Sequence, residues 1–208
     1  MGSALAARLA LGGLGVVVGS RNPERAAAIV DRLKDQWKGL DSLQSGENDE
    51  AVRAKTVVIA IPWDSVVRTV DEFARQLAGK TVVSLANALI KMGSEFSALE
   101  VPRGSIAQLL QSTLPESRVV AALHHVPARE LANLARPVEV DTLVCSDFPE
   151  AKAEAISLLE RVPGLRAIDA GSLAQAGAIE AMTAVILNVN QRYHARSSIR
   201  LTGLPEEG

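Results

Sequence analysis

Short runs of apolar, mostly β-branched residues recur at residues 16–18, 56–61, 81–85, 119–123, 142–145 and 166–168, and segments with helical periodicity lie between them. Runs such as TVVIAI and VVAAL show no regular alternation of apolar and polar positions. Strands of this kind are covered on both faces, as in a parallel sheet flanked by helices. The helices are read from spacing. PERAAAIVDRLKDQWKGL (23–40) opens on a proline, a good first-turn residue, and sets Ala26, Ile29, Leu33, Trp37 and Leu40 on one stripe. SVVRTVDEFARQL (65–77) does the same with Val66, Val70, Phe73 and Leu77. Residues 3–11, 103–113 and 150–162 carry weaker helical patterns. The last helix, SLAQAGAIEAMTAVILNVNQRY (172–193), aligns Ile179, Met182, Ile186, Val189 and Tyr193, with Val185 and Leu187 widening the stripe. That stripe is wider than one sheet face requires, which points to a partner subunit. The stretch LDSLQSGENDEA (40–51) reads as a polar loop, and LTGLPEEG (201–208) as a frayed tail.

Strand–helix alternation predicts an α/β fold, a doubly wound and mostly parallel sheet with a C-terminal helical extension. The expected layout is a nucleotide-binding region over residues 1–115 and a completing part over 116–208, in a single compact unit. Composition narrows the function. The net charge of -2 and the 3% aromatic content offer neither a broad basic surface nor a base-stacking platform, so nucleic acid is not the expected partner. Cys145 is the only cysteine, which excludes an intrachain disulfide and a multi-cysteine metal site and fits the reducing cytoplasm. The most apolar run, residues 9–19, is too short to span a bilayer and holds three interior glycines, so no membrane segment is expected there.

The chemistry-bearing residues fall at predicted strand ends. In a dinucleotide-binding βαβ unit, the third glycine of G-x-G-x-x-G opens the helix and lets it pack on the strand; Gly2 occupies such a place. The next strand ends in GSRNPER. An NAD-binding unit has an acid here for the ribose hydroxyl; Ser20, Arg21 and Arg25 instead suit a 2′-phosphate, because guanidinium makes paired bonds to phosphate and the head of a helix favours anions. Pro62 and Trp63 follow one strand, and Ser84 and Asn87 lie at the end of another, where ligands of such sheets bind. VVAALHHVPAREL delivers His124 and His125 into a turn. Neighbouring histidines on an extended chain point to opposite sides, so a metal site is not expected. Taken on these residues alone, a structural histidine is the favoured reading and a substrate contact the alternative.

From Gly2 to about Tyr193 the chain resembles the NADPH-dependent coenzyme F420 reductase family (F420:NADP oxidoreductase). The stretches MGSALAARLA, VVVGSRNPERA, IAIPWD, ALHHVPARELANL, DTLVCSD, GLRAIDAGSLAQAGAIEAMT and ILNVN carry the likeness. The resemblance implies a small homodimeric protein that moves hydride between NADP(H) and a 5-deazaflavin. It implies that Ser20, Arg21 and Arg25 hold the 2′-phosphate, and that Pro62, Trp63 and Ser84 line the cofactor's path; Gly2 and Asn87 join the expected cofactor-binding set from their own places in the sequence. His124, Val126 and Pro127 would shape the place where the two rings stack, with Ala170 and Gly171 of the stretch 169–173 close by.

Family members open with a strand and a G-x-T-G-x-x-G turn, whereas this chain starts at the last glycine. The expectation is therefore a first strand lying upstream of Met1. Two other readings remain: a different NADP-dependent reductase of a small carbonyl or imine, and a non-catalytic NADP-binding or degenerate paralogue.

Overall fold

The computed structural model describes residues 1–205. The chain opens with helix α1 (Gly2–Leu11), strand β1 (Val16–Ser20), α2 (Pro23–Gln36), β2 (Leu43–Glu47) and α3 (Asn48–Ala51). It continues through β3 (Thr56–Ile59), α4 (Trp63–Asp71), α5 (Ala74–Leu77) and β4 (Thr81–Ser84) to a hairpin of β5 (Leu89–Met92) and β6 (Glu95–Ala98). Next come α6 (Ile106–Thr113), β7 (Arg118–Ala121), α7 (Ala128–Ala132), β8 (Val140–Val144), α8 (Pro149–Leu159), β9 (Leu165–Asp169) and α9 (Ala176–Arg192). Local chemistry sets several boundaries. Asn22 caps α2 by accepting from the Arg25 N–H at 3.0 Å, with Pro23 just inside. Ser105 caps α6 through Gln108 N–H.

Parallel pairs order the strands as β2–β1, β3–β4–β7 and β8–β9. A single antiparallel bridge, Ala121 to Cys145, joins β7 to β8. Among the described residues β1 pairs only with β2, and β3 pairs with β4 alone. Helix α1 covers both edges, since Val16 and Val58 pack with Leu5 and Leu9. The sheet alternates cleanly between two cores. Val82, Val119 and Ala121 face α4, α6 and the start of α9, while Val83, Val120 and Ala122 face α1 and α8. Each cluster draws on residues from both sides of position 115.

All six strands expected from the sequence are present. The 40–51 stretch, read as a polar loop, is instead β2 and α3. Its two fully buried leucines, Leu40 and Leu43, pack with α1 and α2, and pairing with β1 supplies what the pattern lacks. Gly19 makes this possible, because a Cβ there would lie 2.6 Å from the Ala51 Cβ. The 65–77 helix breaks at Phe73, and in α2 Val30 is buried deeper than Ile29. The hairpin went unpredicted, although Gly93 (φ +60°) and Ser94 form a two-residue turn of the kind that closes one. The expected frayed tail is tied down at Leu201, whose N–H donates to Asp141 Oδ2 at 2.6 Å; residues 202–205 are exposed, and 206–208 lie outside the described residues.

Arg8 is the least expected element of the packing. It is only 2% exposed, on the buried face of α1. Its guanidinium donates to the carbonyls of Leu131 (3.0 Å), Glu130 (3.3 Å), Asn133 (2.6 Å) and Arg136 (2.9 Å). It thereby closes the C-terminal end of α7 and welds it to α1. Replacing Arg8 with Met would keep much of the apolar stem and strip these carbonyls of their donor. The expected loss is about 3 kcal/mol, read from the urea midpoint, with no rescue by Lys, whose single ammonium cannot span the set. A loss below about 0.5 kcal/mol would contradict the clamp.

Candidate functional site

The carboxyl ends of β1, β3, β4 and β7 and the head of α1 present the residues singled out in the sequence. Gly2 lies where a Cβ would be 2.7 Å from the Ala60 Cβ, so the absence of a side chain lets α1 press onto the end of β3. At the end of β1, Ser20 Oγ accepts from the Asn22 N–H at 3.1 Å, and Arg21 and Arg25 stand exposed at the head of α2. Pro62 precedes α4, and Trp63, its first residue, is 37% exposed.

The β4 and β7 ends are different in kind: buried, apolar and uncharged. Leu123, fully buried, adopts φ +64°, which is rare for a branched side chain, and its N–H is held by Thr142 Oγ1 at 2.8 Å. This kink places His124 and His125 in the turn expected after the strand; the extended chain on which neighbouring histidines would point to opposite sides is not the conformation found here. The His124 carbonyl accepts from Asn87 Nδ2 at 2.9 Å and from Thr183 Oγ1 at 3.1 Å. His125 is tied to the Asp141 carbonyl through Nε2 at 3.0 Å, and its own carbonyl accepts from Ser198 Oγ. The His124 ring is almost wholly buried and neither nitrogen makes a well-formed hydrogen bond. Burial, reinforced by His125 and opposed by the nearby Ala86 backbone, depresses its pKa to about 3. The imidazole is therefore neutral, and cannot offer a positive charge. The Ser84 hydroxyl and Asn87 Oδ1 are likewise buried and unpartnered. Unpaired polar groups at adjoining strand ends are what a ligand-binding site leaves open.

Beside this turn is a largely apolar cavity of about 220 Å³, bounded by Met1, His124, Val126, Pro127, Thr183 and Ile186, with Asn190 and Ser197 at its rim. It holds no thiol and no carboxylate. The one cysteine, Cys145, is buried elsewhere with its pKa pushed up to about 12, which makes it a poor nucleophile.

Two expected residues are not brought here. β8 runs antiparallel to β7, and β9 parallel to β8, so the end of β9 points away from the edge that carries His124. Ala170 donates to the Val144 carbonyl, and the Gly171 carbonyl accepts from Ser146 N–H and Lys152 Nζ, so both serve the β8–β9 packing instead. Conversely, Thr183 went unread. Its signal was a lone hydroxyl between Ile179 and Ile186 on the apolar stripe of α9. The tail residue Ser197, in a segment without periodicity, gave none.

Parallel strands wrapped on both faces, with a glycine-headed helix, exposed arginines after β1 and an apolar ring-sized cavity after β7, define a Rossmann-like dinucleotide-binding protein of the oxidoreductase type. Residues 1–88 match the family model described as NADP oxidoreductase coenzyme F420-dependent. The chain is 35% identical to the F420-dependent NADP reductase of Methanocaldococcus jannaschii, over 98% of this chain and 94% of that protein. It is 32% identical to the enzyme of the same name from Methanothermobacter thermautotrophicus, over 99% and 92%. A crystal structure of a putative F420-dependent NADP reductase from Arthrobacter sp. FB24 superposes with a TM-score of 0.79 at 25% identity, covering 94% of this chain and 91% of that one. A pyrroline-5-carboxylate reductase from Coxiella burnetii, at 18% identity and a TM-score of 0.53, shares the fold. The chain belongs to the F420-dependent NADP reductase family.

The buried His124 makes a pH prediction. Its folded pKa lies below its unfolded value near 6.5, so the unfolded state binds the extra proton first and stability falls as pH drops from about 6.5 towards 3. The full effect is at most about 5 kcal/mol. Urea titrations of wild type and His124→Phe at several pH values are expected to show a shallower acid limb in the variant; parallel limbs would contradict a neutral buried imidazole.

Proposed function

We propose that the protein transfers a hydride between NADP(H) and the 5-deazaflavin coenzyme F420. The observation that carries this reading is 35% identity over 98% of the chain to an F420-dependent NADP reductase, on a fold whose strand ends offer both kinds of subsite the reaction needs. The donor set fits the two cofactors. Ser20, Arg21 and Arg25, exposed beside the head of α2, suit the dianionic 2′-phosphate that separates NADP from NAD. Gly2 lets the head of α1, a place that favours phosphate, press against the end of β3, with Pro62 and Trp63 alongside. Ser84 Oγ and Asn87 Oδ1 offer a donor and an acceptor towards the carboxamide end, and the His124–Pro127 turn gives the rings an apolar wall.

When bound, the nicotinamide supplies the hydride at its C4, and the deazaflavin ring accepts it at C5. The protein's part is alignment and the exclusion of water. His124 stays neutral, so it contributes at most an N–H donor, and the proton that balances the reduced deazaflavin comes from solvent. Reduction then consumes NADPH, oxidised F420 and one proton and gives NADP⁺ and reduced F420.

A second copy is proposed to pack on the outer face of α9, where Val185 (61% exposed), Val189 (39%) and Tyr193 (77%) stand; the hairpin, bound to α9 through Asn188 and Phe96, also exposes Ile90 (42%) and Met92 (60%). A cytoplasmic location is proposed from the single, buried thiol; no helix among the described residues is long and apolar enough to cross a membrane.

Mixing the protein with NADPH and oxidised F420 is expected to bleach the deazaflavin absorbance. Arg21→Ala is expected to weaken NADPH roughly ten- to hundredfold and leave NADH nearly unchanged, the cost of one charge-assisted contact. No bleaching, or equal losses for both nucleotides, would refute the assignment. Light scattering is expected to give a dimer that dissociates when Val185 and Val189 are both changed to Glu; a wild-type monomer would remove the proposed interface.

A further inference from the structure

The hydride transfer as described uses no buried acid, yet α9 carries one. Glu180 is 5% exposed, and no lysine or arginine among the described residues forms an ion pair with it. Its two oxygens accept the first two N–H groups of α6, from Ile106 at 2.9 Å and Ala107 at 3.1 Å. The approach is close throughout: a Cβ on Gly177, one turn earlier in α9, would lie 2.6 Å from the Gly104 carbonyl oxygen. The loop that receives the helix is itself fixed, with Arg103 at φ +70° and Gly104 at φ +94°. Three residues beyond Glu180, on the same side of the helix, Thr183 donates to the His124 carbonyl. One side chain therefore sets the axial position of α9 against α6, and the next polar residue transmits that position to the turn after β7.

We propose that Glu180 is a positioning residue for the hydride-transfer site: by locking the start of α9 onto the head of α6, it fixes where Thr183 meets the His124 carbonyl, and so the seating of the His124–Pro127 wall. The inference rests on the reading of that wall as the ring-binding surface. Burial pushes the Glu180 carboxyl up to about 7, against the two N–H groups that oppose the shift. The ionised form accepts both bonds; protonation removes one acceptor and loosens the lock. Among the groups packed around it, α6 brings no titratable side chain, β8 brings the Cys145 thiol, which Glu180 pushes further up, and Lys152, Asp147 and Asp169 act on that thiol in turn. His124, at the far end of the relay, remains neutral throughout this range.

The test compares wild type with Glu180→Gln, which is isosteric but places an N–H where one oxygen accepted. In the ligand-free protein, the ¹³C carbonyl resonance of His124 is expected to shift in the variant and to titrate with a midpoint near pH 7 in wild type only. In turnover, kcat is expected to fall about tenfold with the KM and Kd for NADPH within twofold, because the Arg21 end is untouched, and the wild-type inflection near pH 7 is expected to vanish. An unmoved carbonyl resonance, or an inflection that persists in the variant, would overturn the proposal. Parallel losses of kcat and NADPH affinity would assign Glu180 a general structural role instead and overturn it equally. A wild-type protein that fails to reduce F420 would sink the reading of the site, while the carbonyl resonance still decides whether the lock exists.

Discussion

The carbonyl oxygen of His124 is the point on which the site's geometry turns. It accepts from Asn87, at the end of β4, and from Thr183, in the last helix. The residue before it is forced into a left-handed conformation and held there by Thr142; the residue after it is bound at both ring and carbonyl. At the far end of α7 the buried guanidinium of Arg8 gathers four carbonyls. A turn constrained from so many directions is built in advance of any ligand, and its strain of about 1–3 kcal/mol survives because each neighbour over-determines it. Preorganisation of this kind is what a reaction driven by ring alignment demands.

Charge is distributed along the strand ends in a way that matches two different tasks. At the β1 end, solvent-exposed arginines stand beside a helix head, a setting that favours an anion at little desolvation cost. At the β7 end the two histidines in the cavity wall, His124 and His125, are both pushed towards the neutral form by burial. A hydride carries its own electron pair, so a site that moves one gains more from dryness than from a proton relay. The buried Glu180 is not among the residues that line the cavity; it sits one turn before Thr183 on α9, where it shapes the site without contacting the rings.

Much of this was legible in the sequence, and for physical reasons. Strands covered on both faces must be apolar throughout, so β3, β4 and β7 announced themselves, and the residues that follow them had to be the site's rim. Ser20, Arg21, Pro62, Ser84 and His124 were singled out as strand-end residues by that logic, Gly2 by its place at the head of a helix, and a ring-positioning role for His124 and Pro127 only by the family resemblance. What escaped depended on tertiary context. β2 has one buried apolar residue and exists because β1 pairs with it. The direction of β8 and β9 rests on one bridge that no pattern encodes, which is why Ala170 and Gly171 were expected at the wrong edge. Thr183, Glu180 and Arg8 are single polar residues on apolar helix faces; spacing marks them as exceptions but cannot say which backbone groups they will meet.

The central claim is that the turn after β7 and the arginines after β1 hold two ring systems for direct transfer between them. The most direct test follows the hydrogen itself. NADPH deuterated at one face of C4 is incubated with oxidised F420 and the protein in ordinary water, and the product deazaflavin is examined by mass spectrometry and NMR. The account predicts that deuterium from one C4 face, and not the other, appears at C5 of the deazaflavin without dilution. Deuterium released to solvent, or a product labelled equally from both faces, would contradict it.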